Sequence, residues 1–333
     1  MPYNLLSTIL LLLLSVSVVA QQFPTLSTED RVARLNPPDK TPIRVVIDTD
    51  TYNEIDDQFA VVYALFSPEQ LQVEAIYAAP FKNHRSESAG EGMTKSYEEI
   101  LRLLERTGTS ADGFVYKGSD AFLTDYEQPV ESDAARDLID RAMSSDEPLY
   151  VLTLGAPTNV ASAILMEPSI IEKIVVVWLG GKGLNWPFAS EFNLQQDVMS
   201  SKVMFDSGVP LVQIPTQPVT SHLLLSIPEA EKYLKGKGDI GDYLLDIFSK
   251  YPEEVNANEY AWSKVVWDNS AIAYVISPDW FQTELRSAPI LTNEKTYSFD
   301  NRRPLYRVVT HLNRDKIFGD MFRKIEQQVA KGQ

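Results

Sequence analysis

RVVIDTDTYNEIDDQFAVV, residues 44–62, is the stretch whose reading decides the fold. It opens as an apolar run, Val45-Val46-Ile47, and then places five acidic residues within ten positions: Asp48, Asp50, Glu54, Asp56 and Asp57. An apolar helical pattern follows from Phe59 to Leu65. A short β-branched run, then polar residues, then a helical pattern reads as strand, loop, helix. In an open α/β sheet, ligands bind in the crevice beyond the carboxyl ends of the strands. The carboxylates therefore gather where such a fold keeps its function. Like charges this close disfavour one another's ionised form unless a cation neutralises them. A hard divalent cation meets that need, since it takes about 6–8 oxygen ligands, largely carboxylates and carbonyls.

Working outward, the 333-residue chain is long enough to bury a full-sized core. Its net charge of -16 argues against nucleic acid and anionic membrane surfaces as partners, while leaving a neutral sugar or nucleoside open. The chain has no cysteine, which excludes disulfides, thiolate nucleophiles and zinc–thiolate sites. Three histidines, His84, His222 and His311, are too scattered for a His-rich metal site. Residues 9–20 are almost wholly apolar and end in Val18-Val19-Ala20 before Gln21-Gln22, the pattern of a signal peptide cleaved after Ala20. Residues 5–20 are short for a membrane span of about 20 residues, although the n-region lacks Lys and Arg. The expectation is a secreted or periplasmic protein with no membrane attachment after cleavage.

Residues 21–40, with Pro37-Pro38, read as an extended leader. Beyond them strands and helices alternate: strands at 71–79, 149–154, 174–179 and 210–214, helices at 93–105, 133–143, 160–166 and about 197–206. Residues 227–260 read as a helical packing layer, and 265–276 as an apolar helix interrupted by one carboxylate, Asp268. A strand at 305–309 and a helix from Arg314 end the chain. This spacing predicts an α/β fold, an open, mostly parallel twisted sheet with helices on both faces. No internal repeat or linker appears after residue 40, so residues 41–333 read as one domain.

Four blocks, DTD…IDD, LGAPTN, GG…EFN and WDNSA, occur in this order. Together they resemble the inosine-uridine-preferring nucleoside hydrolase family over about residues 43–310. The resemblance implies that family's Rossmann-like core and calcium-dependent hydrolysis of an N-glycosidic bond in a nucleoside or related N-riboside. It implies a calcium site of Asp50, Asp57, Asp268 and the Leu154 carbonyl, with Asp50 as general base toward metal-bound water. Asp56 would face the ribose hydroxyls, and Asn185, Glu191 and Asn193 fall on the sugar-binding positions. The resemblance also allows a homo-oligomer. From the residues alone, Asp268 reads equally as a buried ligand or as a helix N-cap. Asn185 and Asn193 read equally as turn residues.

Three departures bear on substrate. Five residues, TYNEI, separate Asp50 from Asp56 where the family usually has three, which lets Asn53 or Glu54 enter the site, with Asn53 the candidate for an added sugar contact. Pro80-Phe81 replaces the usual Gly-Asn, leaving Asn83 or His84 to substitute from the longer loop. The family's His-Asp pair reads Trp267-Asp268. Tryptophan cannot protonate a leaving base; it can stack on one, or simply pack in the core. Trp186 is a second candidate for stacking. Two other readings stay open. A haloacid-dehalogenase-type phosphohydrolase nearly fits at 45–50 but fails at Tyr52. A calcium-dependent sugar- or nucleoside-binding protein on the same fold would need no general base.

Overall fold

The computed structural model describes residues 23–125, 128–257 and 259–331. The expected signal peptide, residues 1–20, lies outside the described residues. The described chain begins with α1 (Thr28–Arg34), β1 (Ile43–Thr49), α2 (Asp57–Leu65), β2 (Leu71–Ala78), α3 (Ala89–Thr107) and β3 (Val115–Lys117). It continues through α4 (Asp133–Met143), β4 (Leu149–Thr153), α5 (Thr158–Met166), β5 (Ile174–Leu179), α6 (Phe192–Gln196), α7 (Val198–Asp206) and β6 (Leu211–Ile214). Then come β7 (Leu224–Ser226), α8 (Ile227–Leu234), α9 (Gly238–Glu254), β8 (Ser263–Val265) and α10 (Asn269–Ile276). Last are β9 (Phe281–Ser287), β10 (Ile290–Leu291), β11 (Tyr297–Ser298), β12 (Leu305–Leu312) and α11 (Arg314–Lys331).

The main sheet has eight strands in the order β3-β2-β1-β4-β5-β6-β12-β9. All neighbours pair in parallel except β9, which runs antiparallel to β12. The central strands β4 and β5 are buried along their whole length because both faces are covered, as parallel sheets require. Side chains alternate between two cores. Val45 and Ile47 of β1, with Tyr150 and Leu152 of β4, face a core shared with Phe59, Leu103 and Ile272. Val46, Leu149 and Val151 face the opposite core with Leu138, Val160 and Phe205. Helices α2, α3, α10 and α11 thus cover one face, and α4, α5 and α7 the other.

The chain winds outward in one direction from β1 to β3, and in the other from β4 to β6. The order reverses between β1 and β4, and a doubly wound sheet opens its ligand crevice at such a reversal. The loops leaving β1 and β4 both end there.

Two expectations are corrected. Residues 21–40 are not an extended leader throughout, because Ser27 caps α1 by accepting the Asp30 N–H at 3.0 Å. The helix docks on the domain: Arg31 is buried and donates to the Gly208 carbonyl at 2.6 Å. Leu35 is fully buried, and its carbonyl accepts from the Tyr274 hydroxyl at 3.0 Å. Residues 265–276 are likewise not one helix, since α10 starts only at Asn269 and Val265 ends β8. The apolar pattern is continuous because strand and helix face the same core, which periodicity cannot separate. Leu35→Ala is expected to cost about 2–4 kcal/mol of unfolding free energy in a denaturant titration, the range for a truncated core leucine. A loss below about 1 kcal/mol would contradict the docking of residues 28–35.

Candidate active site

The loop after β1 turns sharply, with the Asn53 N–H donating to the Asp50 carbonyl at 2.7 Å. It delivers Asp56 to the N-cap position of α2 and Asp57 to its first turn, where the helix dipole favours negative charge. Asp268 reaches the same place from the far end of the chain, at the N-cap position of α10, which packs against α2. Neither Asp56 nor Asp268 makes a side-chain capping bond. The two readings of Asp268 therefore merge: it occupies a cap position and turns its carboxylate elsewhere. Carboxylate oxygens of Asp56, Asp57 and Asp268 lie within 4.8 Å of one another, all three residues being buried.

Asp50 lines the same cavity from the β1 side but is not among the three carboxylates within 4.8 Å of one another. Its carboxylate lies beneath Gly155, where an added Cβ would come within 2.9 Å of both Cγ and Oδ1. The glycine of LGAPTN is thus required by space. Asp50 Oδ2 is buried with no hydrogen-bond partner among the described residues, and Asp48 Oδ2 is in the same condition. A buried carboxylate oxygen left without a donor is costly, and a cation is the partner that removes the cost.

These carboxyls pay electrostatically for their position. Burial pushes the Asp57 carboxyl up to about 7, with the Asp56 charge adding to it. Asp50 and Asp268 are raised well above the ordinary aspartate value, again by burial first and then by the Asp57 and Asp56 charges. Burial alone takes Asp48 up to about 7, although the Asn159 amide donates to it at 2.8 Å. The Thr49 hydroxyl donates to Asp57 Oδ1. A cation stands inside this group. Lys264 is buried, and its Nζ lies 2.6 Å from Glu54 Oε2 and 3.2 Å from Asp56 Oδ1.

A cavity of about 290 Å³ opens over the group. Asp50, Asn53, Asp56, Asp57, Leu154, Glu191, Asn193, Trp267 and Asp268 all line it. Asn193 is fixed by donating Nδ2 to the Leu154 carbonyl at 2.6 Å and to the Leu179 carbonyl at 2.9 Å. Glu191 caps α6, its carboxylate accepting the backbone N–H groups of Gly181, Asn193 and Leu194. Burial nevertheless raises the Glu191 carboxyl to about 7. Trp267 is partly buried against the core and also lines the cavity.

One expected residue is not brought in. Asn185 is exposed and lines a separate cavity of about 600 Å³ with Trp186. The cause is a turn in which the Trp186 N–H donates to the Gly183 carbonyl at 2.9 Å and the Gly183 N–H to the Gln217 carbonyl at 2.7 Å. Of the two substitutes for the missing Gly-Asn, Asn83 supports the site from behind, donating to Asn53 Oδ1 at 2.7 Å. His84 points away to Glu254. Lys264 was absent from the expected set, as were Lys182, Thr216 and Gln217, which also line the cavity. A lysine four residues before Asp268 in an apolar segment is a visible signal only once the acidic loop is known to face it.

The carboxyls of Asp57, Asp48 and Glu191, raised to about 7, titrate near 4 in an unfolded chain. The folded, cation-free state therefore keeps protons that the unfolded chain has lost, and stability falls as pH rises through that interval. Chelator-treated protein should lose several degrees of melting temperature between about pH 5 and about pH 8, and a saturating divalent cation should shrink the fall. A flat profile in the chelated protein would show that the cluster carries no such cost.

The family model described as inosine-uridine preferring nucleoside hydrolase matches residues 45–319. A pyrimidine-specific ribonucleoside hydrolase, RihA, from Escherichia coli O9:H4 is 27% identical over 270 residues, covering 72% of this chain and 82% of the relative. A putative pyrimidine-specific ribonucleoside hydrolase, RihB, from Shigella boydii serotype 4 is 30% identical over 160 residues, 47% of this chain and 66% of the relative. Among solved structures, a plant nucleoside hydrolase superposes with a TM-score of 0.71 at 19% identity, over 86% of this chain and 99% of its own. A purine-preferring ribonucleoside hydrolase from Gardnerella vaginalis gives 0.69 at 20% identity over the same shares. These superpositions establish the shared fold. With the match spanning the acidic loop, the Gly155 turn and Asp268, the chain belongs to the inosine-uridine preferring nucleoside hydrolase family, hydrolases that act on N-glycosyl bonds.

Proposed function

We propose that this protein hydrolyses the N-glycosidic bond of a ribonucleoside or related N-riboside with calcium bound at the cavity floor. The observation that carries the reading is the buried, unpartnered Asp50 Oδ2 beside three further buried aspartates in one cavity. Asp50, Asp57, Asp268 and the Leu154 carbonyl would hold the ion, an all-oxygen set that suits a hard cation. Bound calcium supplies positive charge that orients sugar hydroxyls and makes a water easier to deprotonate.

The protein residues supply the rest. Asp50, buried at the cavity floor with one carboxylate oxygen unpartnered, would accept a proton from the attacking water. Asp56, Asn53, Glu191 and Asn193 form the walls on which ribose hydroxyls find fixed acceptors and donors. As the bond to the base lengthens, positive charge grows on the sugar and the surrounding carboxylates stabilise it. Trp267 offers the leaving base an aromatic face and no proton. The two RihA and RihB relatives are named as pyrimidine-specific and the Gardnerella structure as purine-preferring, so both base classes belong in the test.

Family membership favours this reading over the phosphohydrolase alternative. A non-catalytic binder is separated from an enzyme by one assay: free-base release from a panel of purine and pyrimidine nucleosides, with calcium or a chelator. The expected result is calcium-dependent release that falls by about 10²–10⁴-fold in Asp50→Ala, the usual scale for a lost general base. Calcium binding with no release from any nucleoside would make the protein a binder. Release that survives both chelation and Asp50→Ala would contradict the mechanism.

A further inference from the structure

Lys264 is a buried cation in direct contact with the acidic loop, and no expected role covers it. It sits at the middle of β8, paired with Leu225 of β7, and only 7% of its side chain is exposed. Its Nζ reaches Glu54 Oε2 at 2.6 Å, Asp56 Oδ1 at 3.2 Å and the Val265 carbonyl at 3.2 Å, and lies 5.3 Å from the centre of the Tyr251 ring. An ammonium buried this deeply is retained only with well-placed counter-charges. Asp56 is held at both oxygens by the same short segment, since the Trp267 N–H donates to its Oδ2 at 2.9 Å. Residues 264–268 therefore supply an ammonium to one oxygen of Asp56, an N–H to the other, and the carboxylate of Asp268.

Glu54 belongs to the TYNEI segment that lengthens the metal loop. That segment is fixed from behind. Arg85, its side chain 12% exposed, donates to the Tyr52 carbonyl at 3.1 Å and the Glu54 carbonyl at 2.6 Å, and pairs with Glu254 at 2.5 Å. Asn83 holds the Asn53 carbonyl at 3.0 Å. The longer loop thus brings in an extra carboxylate and aims it at Lys264, while the Glu54 side chain stays 38% exposed on the cavity wall.

We propose that Lys264 and Glu54 act as a positioning pair that reserves Asp56 for the substrate, with Lys264 holding Asp56 off the bound cation and Glu54 tempering the lysine's charge. The proposal rests on the calcium-dependent reading above. Even with the tether in place Asp56 keeps an oxygen within 4.8 Å of those of Asp57 and Asp268, so Lys264 acts by occupying Oδ1, and without it that oxygen is free to join the cation as a further ligand. The pair then sets two properties together: the affinity of the floor for its cation, and the availability of Asp56 to ribose hydroxyls. Removing the ammonium leaves the floor more negative and releases Asp56, so cation affinity rises while substrate binding weakens. Removing the Glu54 charge leaves the lysine's full charge facing Asp56 and the floor, so cation affinity falls. Opposite shifts from the two halves of one ion pair are what a merely structural bridge would not give, because general loosening lowers affinity in both.

The test is calorimetric titration of calcium into chelator-stripped wild type, Lys264→Met, Lys264→Arg and Glu54→Gln, with KM and kcat measured on the nucleoside the wild type cleaves best. Lys264→Met should bind calcium about tenfold tighter or more, the scale of one unit charge removed beside a divalent ion in a partly buried site. Its KM should rise by more than its kcat falls, and Lys264→Arg should recover much of the wild-type KM. Glu54→Gln should bind calcium several-fold more weakly. If Lys264→Met does not fold, Glu54→Gln decides alone, since its side chain is partly exposed, and an unchanged calcium affinity there overturns the proposal. Shifts in the same direction in both variants overturn it too. A wild type that neither binds calcium nor releases base would instead defeat the functional reading itself.

Discussion

Four buried aspartates and a nearby glutamate face one another across a small cavity, and nearly everything around them exists to keep them there. Desolvation and mutual repulsion push Asp50, Asp57 and Asp268 toward protonation, so a cluster of this kind is unstable in its charged form without positive charge. The chain answers in part with helix N-termini at Asp57 and Asp268, hydroxyl and amide donors from Thr49 and Asn159, and the Lys264 ammonium. That answer is incomplete, as the unpartnered Asp50 Oδ2 shows. The remaining demand is for a cation.

The fold meets the constraint by topology. Parallel strands covered on both faces are rigid and leave their carboxyl ends as the places where polar side chains can gather. The reversal between β1 and β4 sets the acidic loop against the Gly155 turn, and the glycine lets Asp50 come closer than any side chain there would allow. The α2–α10 contact then imports Asp268 from more than 200 positions away. Strands, helices and cavity are one solution to one electrostatic problem.

Much of this was legible in the sequence, for identifiable reasons. The apolar run of β5 and the amphipathic pattern of α4 mark 174–179 and 133–143 at the bounds the structure gives. The acidic loop announced itself by crowding alone. What stayed hidden depended on contacts distant in sequence. Helix α1 is short and mixed in charge, and only its docking on Gly208 and Tyr274 gives it a reason to form. The break between β8 and α10 is invisible because both bury apolar residues in the same core. Asn185 carries the right residue at the right spacing, but a local turn directs it outward to the neighbouring cavity. Lys264 could not be placed because nothing local says that a lysine in a three-residue strand faces a loop 210 positions earlier.

The central claim is that the cluster holds a cation through Asp50, Asp57, Asp268 and the Leu154 carbonyl, with Asp56 kept apart by Lys264. The most direct measurement is a crystal structure of the protein grown in millimolar calcium, with the ion located by its anomalous signal. The account predicts a single ion on the cavity floor, ligated by those four residues, with the Lys264–Asp56 pair intact. A floor without an ion under those conditions, or an ion held by Asp56 in place of Asp50, would contradict it.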